Sequence, residues 1–344
     1  KQMLLASSLA LAPGIAGAAP PNSEVARSAT ESAGPTAMMA HAFEPHEDLK
    51  FGSNGWAFGA EATKDGRGLL IGNPHFPWEG PARFWQLHVT GPDNYDVMGV
   101  GIAGTPIPTL GFNRDVAWTH TVTAARHFTL YALVLSPDDP TVYMVDGERV
   151  KMTARDISVP MPVGAAPVTR TLYSTQFGPV VTVPGTPMAW SGAMAFALRD
   201  ANSGNQRAID TWLGIGMART VGEIEATISK TLGIPWVNTI AADRDGNALH
   251  ADITAVPNVS ADMAQVCATP FSGMVADRVI LLDGTRSACD WRKGDAAAAN
   301  NLLPASDQAS RTRRDYVTNS NDSYWISNPR NPYRQLSPIL GKFE

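Results

Sequence analysis

From Gly55 onward the chain alternates short apolar or apolar–polar runs with clusters of Gly, Pro, Asn and Asp. The runs 68–72, 84–89, 116–122 and 128–135 predict strands, because short apolar or alternating stretches between turn formers suit a pleated, buried or half-buried surface. Asp65-Gly66, Asp146-Gly147 and Asp245-Gly246 are hairpin dipeptides, the last lying between the strand-like runs 238–241 and 248–250. Helical spacing is confined mainly to 204–217 and 221–232, where Ile209 and Leu213, then Ile224, Ile228 and Leu232, recur every fourth position. No repeat of fixed period is present. The pattern predicts a layered α+β protein with its helices clustered apart from large sheets.

Composition narrows the classes. A chain of 344 residues that is 44% hydrophobic and 17% charged has the apolar content of a folded protein. A net charge of −5 without any Lys/Arg-dense stretch leaves no electrostatic footprint for nucleic acid. With 30 Gly, 26 Pro and nine Trp, strands and loops with aromatic-lined surfaces are expected rather than a helical bundle. Near the start, Lys1, the apolar run 3–12 and the small residues Ala16-Gly17-Ala18 read either as a secretory signal or as the end of an upstream domain; the run is too short for a membrane span. Residues 19–44, rich in Ala, Pro, Ser, Thr and Gly, read as a linker or spacer. Cys267 and Cys289 lack zinc-site spacing and read as a disulfide closing one loop, with buried free thiols as the alternative.

The familiar catalytic signatures are absent: there is no GxSxG elbow, HExxH or Walker loop. Asp243-Arg244-Asp245-Gly246-Asn247 opens like a calcium loop, but its glycine is misplaced and Thr254 stands where the closing Glu belongs, so a hairpin turn is expected. The spaced glycines of 99–104 precede Pro106 and Pro108 rather than a helix, which argues against dinucleotide binding. Among seven histidines, His75 stands out between Pro74 and Pro77 after a buried-type strand, whereas His88, His120 and His127 read as packed or cross-strand residues. Gly52-Ser53-Asn54-Gly55-Trp56 lies where spacer-like composition gives way to the folded body. Cleavage before Ser53 would leave an α-amine beside its own hydroxyl. With a pKa of about 7.7–8.0 that amine is a competent base, and no His–Asp relay is needed.

Five segments then occur in one order: Ser53-Asn54-Gly55, residues 72–78, residues 117–122, residues 233–239 and Asn319-Ser320-Asn321-Asp322-Ser323. Together they resemble the penicillin acylase family of N-terminal nucleophile hydrolases, in particular its acyl-homoserine-lactone and aculeacin-type acylases. The resemblance implies a four-layer αββα sandwich and a precursor that cuts itself between Gly52 and Ser53. It also implies a fragment truncated at both ends: residues 1–20 as the end of an α-subunit, 21–52 as a removed spacer, and 53–344 as the catalytic beginning of a β-subunit. Ser53 would be nucleophile and base, His75 would orient its amine, and the backbone N–H of Val122 with the side-chain amide of Asn321 would form the oxyanion hole. Phe76, Trp212 and Trp236 would wall the acyl pocket. Expected partners are a small acyl-amide substrate, foremost an N-acyl-homoserine lactone with β-lactam or lipopeptide amides as alternatives, and the remainder of a heterodimer made from one precursor. No cofactor is required, though some relatives carry structural calcium; nucleic acid and a membrane span are not expected, and the location would be periplasmic or secreted. A non-catalytic binding module of the same fold is the reading from another class.

Overall fold

The computed structural model describes residues 12–21, 23, 52–80, 82–162, 164, 166–182, 188–294 and 301–341. The 1–11 stretch and nearly all of the expected 21–52 spacer lie outside the described residues.

Three sheets organise these residues. The smallest has β1 (Gly52–Phe58) at its centre, antiparallel to β2 (Leu69–His75) and β18 (Tyr316–Asn319). A seven-stranded sheet runs β17 (Ala309–Arg313), β15 (Ala248–Asp252), β14 (Val237–Asp243), β6 (Val116–Val122), β5 (Leu110–Phe112), β4 (Asp96–Ile102), β3 (Phe84–Thr90). An eight-stranded sheet runs β10 (Thr153–Val159), β11 (Val168–Thr175), β12 (Gly178–Val181), β13 (Met194–Asp200), β7 (Phe128–Ser136), β8 (Asp139–Val145), β9 (Glu148–Lys151), with β16 (Ile280–Asp283) parallel to β7. The short α1 (Ala12–Ala16) touches β12. Helices α2 (Arg207–Met217) and α3 (Val221–Thr231) form a pair, and α4 (Ala261–Val266) and α5 (Ser272–Val275) flank β16.

The strand alternation decides the layering. In β1, Ser53, Gly55 and Ala57 are buried while their neighbours are half-exposed. The buried side faces β6 and β14, where Ala57, Leu70, Ile240, Ala242, Ala248 and Val317 form a small core between the sheets. The opposite face of the seven-stranded sheet carries Trp118, Ala241 and Leu249 into the main core with Ile215, Ile224 and Ile228 of the helix pair. Around the seven-stranded sheet, the larger of the two in this stack, the order is therefore helix pair, larger sheet, smaller three-stranded sheet. A second helical layer is not found among the described residues, and the outer face of the smaller sheet leaves Leu69 and Ile71 exposed.

Local chemistry matches the elements. Asp146 and Gly147 both take positive φ, 50° and 85°, in the turn joining β8 and β9, as a two-residue hairpin requires. The sequence 243–247 is a turn rather than a cation loop: Asp243 Oδ1 accepts from the Asp245 and Asn247 amides. Helix α3 starts where Thr220 Oγ1 accepts from the Glu223 amide and Glu223 Oε2 accepts from the Arg219 amide, and it ends at Leu232 with φ 45°. The buried stripe of α2 is Thr211 and Ile215, whereas Ile209 and Leu213, which supplied the helical spacing, are exposed. A polar residue tolerates that contact because Thr211 Oγ1 donates to the Arg207 carbonyl at 2.7 Å and pairs with Thr231 Oγ1 at 2.8 Å. Cys267 and Cys289 form a disulfide with a Cα–Cα distance of 5.6 Å, tying the end of α4 to the turn Ser287–Cys289. No helix among the described residues is long and apolar enough to cross a membrane.

Four buried titratable groups set how stability responds to pH. Desolvation lowers His120 and His127 to about 4 and His250 to about 3, the last with help from the Arg311 charge. Desolvation raises Asp252 to about 7, opposed by the Thr123 hydroxyl that donates to it. A lowered imidazole stabilises the fold fully above the unfolded value near 6.5 and loses that contribution as pH falls toward the folded value. The raised carboxyl contributes oppositely, present below about 3.9 and lost as pH rises through 7. Three groups therefore outweigh one between pH 4 and 6.5. The urea midpoint is expected to rise across that interval and to rise more steeply in Asp252→Asn; a flat or falling profile would contradict the buried, neutral state of these imidazoles. A second expectation concerns packing: a Cβ on Gly72 would lie 2.7 Å from Thr119 Oγ1, so Gly72→Ala should cost about 1–3 kcal/mol in denaturant unfolding, with partial recovery in the Gly72→Ala/Thr119→Ala double variant.

Candidate active site

Ser53, the second residue of β1, is 2% exposed, although the strand's first residue is half-exposed. The Gly52–Ser53 peptide is framed by polar groups on three sides. Ser53 Oγ donates to the Gly52 carbonyl at 2.5 Å, and the Ser53 N–H donates to Asn321 Oδ1 at 2.7 Å. Register places His75 opposite Gly52 across β1 and β2. A Cβ at Gly52 would come 3.2 Å from His75 Nδ1 and 3.3 Å from Asn321 Oδ1, so this position fits a residue without a side chain.

His75 is held by two amides. Its Nε2 faces Asn54 Nδ2 at 3.2 Å and Asn73 Nδ2 at 3.0 Å. Two donors leave Nε2 as acceptor, which puts the proton of the neutral ring on Nδ1, the atom beside Gly52. Asn54 and Asn73 enter the sequence reading only as members of the segments 53–55 and 72–78, with no role assigned; strand alternation carries no mark for an amide reaching sideways within one sheet.

The other side of the site crosses between sheets. Asn321 takes φ 72°, a left-handed conformation that Asn tolerates better than most residues. Its Nδ2 donates to the Val122 carbonyl at 3.1 Å, so one amide links the Ser53 N–H to the end of β6. Behind it lies a buried polar network. Asn319 Oδ1 accepts from Thr121 Oγ1 at 2.7 Å and from the Asn321 amide at 2.9 Å, and Asn238 Nδ2 pairs with Thr121 Oγ1 at 3.2 Å. His120 Nδ1 donates to the Asn238 carbonyl at 3.0 Å, and its Nε2 accepts from Trp212 Nε1 at 3.0 Å. A carbonyl only accepts and an indole N–H only donates, so the contacts fix one neutral tautomer, in keeping with the lowered value of His120.

The structure thus brings Gly52, Ser53, His75, Asn321 and the end of β6 bearing Val122 together. Trp212 lies on α2, across the larger sheet from β1, and bonds to His120 on the helical face. Trp236 immediately precedes β14; its carbonyl accepts from the Thr123 N–H, one residue beyond Val122. Its indole nitrogen is buried without a hydrogen-bond partner among the described residues. Phe76 follows β2 and packs on Phe84 with ring centroids 4.6 Å apart. Among the described residues no group of three or more His, Cys, Asp or Glu is placed to hold a metal ion.

The family model described as penicillin amidase matches residues 3–340. The chain is 42% identical over 341 residues to aculeacin-A acylase of Actinoplanes utahensis, an alignment covering 98% of this chain and 43% of that protein. It is 43% identical over 334 residues to acyl-homoserine lactone acylase PvdQ of Pseudomonas fluorescens, covering 95% and 42% respectively. Among solved structures, a thermostable penicillin G acylase from Alcaligenes faecalis matches with a TM-score of 0.62 and 21% identity over 83% of this chain and 46% of that one, a likeness of fold. The chain spans less than half the length of the curated relatives it matches.

Proposed function

The chain belongs to the penicillin amidase family, and on that premise we propose that it carries the reactive centre of an acylase that removes the acyl chain from N-acyl-homoserine lactones through an acyl-enzyme on Ser53. The observation that carries the reading is the polar frame around the Gly52–Ser53 peptide, with Ser53 Oγ against the Gly52 carbonyl and Asn321 on the Ser53 nitrogen.

Maturation would begin with attack of Ser53 Oγ on the Gly52 carbonyl carbon. The C–N bond breaks, its nitrogen takes a proton, and the acyl group passes to oxygen as an ester. Water then hydrolyses the ester, releasing the Gly52 carboxylate and leaving a free α-amine on Ser53. In turnover that amine accepts the Oγ proton as Oγ attacks the substrate amide and returns it to the departing amine, after which water cleaves the acyl–Oγ ester, releasing the fatty acid and restoring the Ser53 hydroxyl. The Val122 N–H and Asn321 Nδ2 are the proposed donors to the developing oxyanion. Both are neutral, and losing one such donor costs roughly 10²–10³ in kcat. His75, with its proton on Nδ1, would orient the amine. Phe76, Trp212 and Trp236 are proposed as the acyl-pocket walls; Phe76 follows His75 directly, the Trp236 backbone bonds to Thr123 next to Val122, and Trp212 is tied to β6 through His120.

Nothing in the mechanism calls for a metal. The disulfide fits an oxidising compartment, which supports the periplasmic or secreted location expected from sequence. The 42% identity to aculeacin-A acylase favours one competing substrate, the acyl amide of a lipopeptide, by the same chemistry.

Intact-mass analysis of the full-length protein should give a fragment beginning at Ser53, and Ser53→Ala should remain uncut and lose roughly 10³-fold or more in hydrolysis of N-decanoyl-homoserine lactone. Cleavage at another bond, or fatty acid released by Ser53→Ala, would sink the mechanism. Faster turnover of a long-chain lipopeptide amide than of the lactone amide would move the substrate assignment.

A further inference from the structure

We propose that Asn319 is a positioning residue that sets the spacing of the two oxyanion donors through one buried oxygen, an inference that rests on the reading of Ser53, Val122 and Asn321 above. Asn319 ends β18 and is 4% exposed. Its Oδ1 collects three donors: Thr121 Oγ1 at 2.7 Å, the Asn321 N–H at 2.9 Å and Asn238 Nδ2 at 3.4 Å. Its own Nδ2 donates to the Asp322 carbonyl at 3.0 Å.

The connectivity gives this oxygen its role. Thr121 precedes Val122 in β6, and Asn238 lies opposite Thr121 in β14. The bond from the Asn321 N–H closes a turn across Ser320 and holds Asn321 at φ 72°, the conformation from which its side chain reaches both Ser53 N and the Val122 carbonyl. One oxygen is therefore bonded to the neighbour of one oxyanion donor and to the backbone of the residue that supplies the other. One donor ends a strand of the seven-stranded sheet and the other lies in the turn that follows β18 of the three-stranded sheet, and this atom is a direct polar tie between them.

An amide suits the position. Its oxygen accepts from a hydroxyl, a backbone N–H and a side-chain amide while its nitrogen donates to a carbonyl. Alanine would strand those donors in a buried site, and aspartate would turn a carboxylate oxygen toward the Asp322 carbonyl. Thr121 offers a gentler probe, because Thr121→Val removes the hydroxyl at nearly constant volume and Thr121→Ser keeps it.

The test uses the full-length protein with N-decanoyl-homoserine lactone, rates being expressed per centre matured at Ser53 as counted by intact mass. Asn319→Ala should lower kcat by roughly 10–100-fold with KM within about twofold, since misplacement of a catalytic group by about 1 Å costs on the order of 10²-fold. Thr121→Val should lower kcat several-fold and Thr121→Ser should keep the parental value. If Asn319→Ala does not mature, the Thr121 pair decides alone. Unchanged kcat per matured centre in Thr121→Val or Asn319→Ala, even with a lowered melting temperature, would reduce Asn319 to a structural residue. Equal loss in Thr121→Ser and Thr121→Val would do the same. Ser53→Ala is run beside them: full activity there overturns the reactive-centre reading and this inference together, whereas an inactive Ser53→Ala with a fully active Asn319→Ala overturns the positioning role alone.

Discussion

The site depends on how closely the smaller sheet can approach the larger one. Gly55 and Gly72, paired across β1 and β2, present bare backbone to Thr119 and Ile240; side chains there would come within 3.4 Å of those residues. Packed sheets ordinarily stand about 10 Å apart with interdigitating side chains between them. Here the glycines remove that layer locally, while Ala57, Leu70 and Val317 restore it further along the strands. The smaller sheet thus rests on an apolar cushion at one end and on backbone contact near the other. Ser53 lies at the close end, where Asn321 can span from one sheet to the other.

Beyond that contact, apolar packing gives way to amides and hydroxyls. Thr121, Asn238, Asn319 and Asn321 exchange hydrogen bonds, and because the first three are buried their polar groups depend on one another, with Asn238 Oδ1 left without a partner among the described residues. His120 extends the network through the larger sheet to Trp212 on α2. Held neutral by burial, it acts as a strut with one donor and one acceptor, coupling the helix pair to the strand that ends at Val122.

Much of the fold was legible because it is local. Strands β2, β3, β6 and β7, the turns at Asp146-Gly147 and Asp245-Gly246 and the pair α2–α3 all follow from runs, turn formers and four-residue spacing, whereas Asp65-Gly66 lies inside the long loop 59–68 between β1 and β2 and not in a tight hairpin. The start of α2 moves in to Arg207 because 202–206 is a turn, with the Asn205 and Gln206 amides bonded to the Asn202 and Gly204 carbonyls. The ribbon β10–β11 escaped notice since both faces of β10 are exposed, leaving no one-sided alternation to read. At the candidate site, Ser53 stands out by its place at the change of composition, His75 by its flanking prolines and Asn321 through the ordered motifs, and the structure brings the three together. Asn319, Thr121 and Asn238 were visible only as members of those motifs, with no role of their own. Their meaning arises from bonds that span up to 198 positions, which no local pattern records.

The left-handed turn at Asn321 carries a consequence for how this centre is able to vary over evolutionary time. Two requirements fall on one residue: a backbone that visits φ 72° at low cost, and a side chain with both a carbonyl and an NH₂. Glycine satisfies the first requirement and fails the second; aspartate accepts the turn but has no donor for the Val122 carbonyl; glutamine keeps the chemistry but adds a methylene and tolerates the backbone poorly. No single replacement among the natural amino acids meets both conditions. The position is isolated in sequence space, reachable by drift only if the loop around it changes shape at the same time.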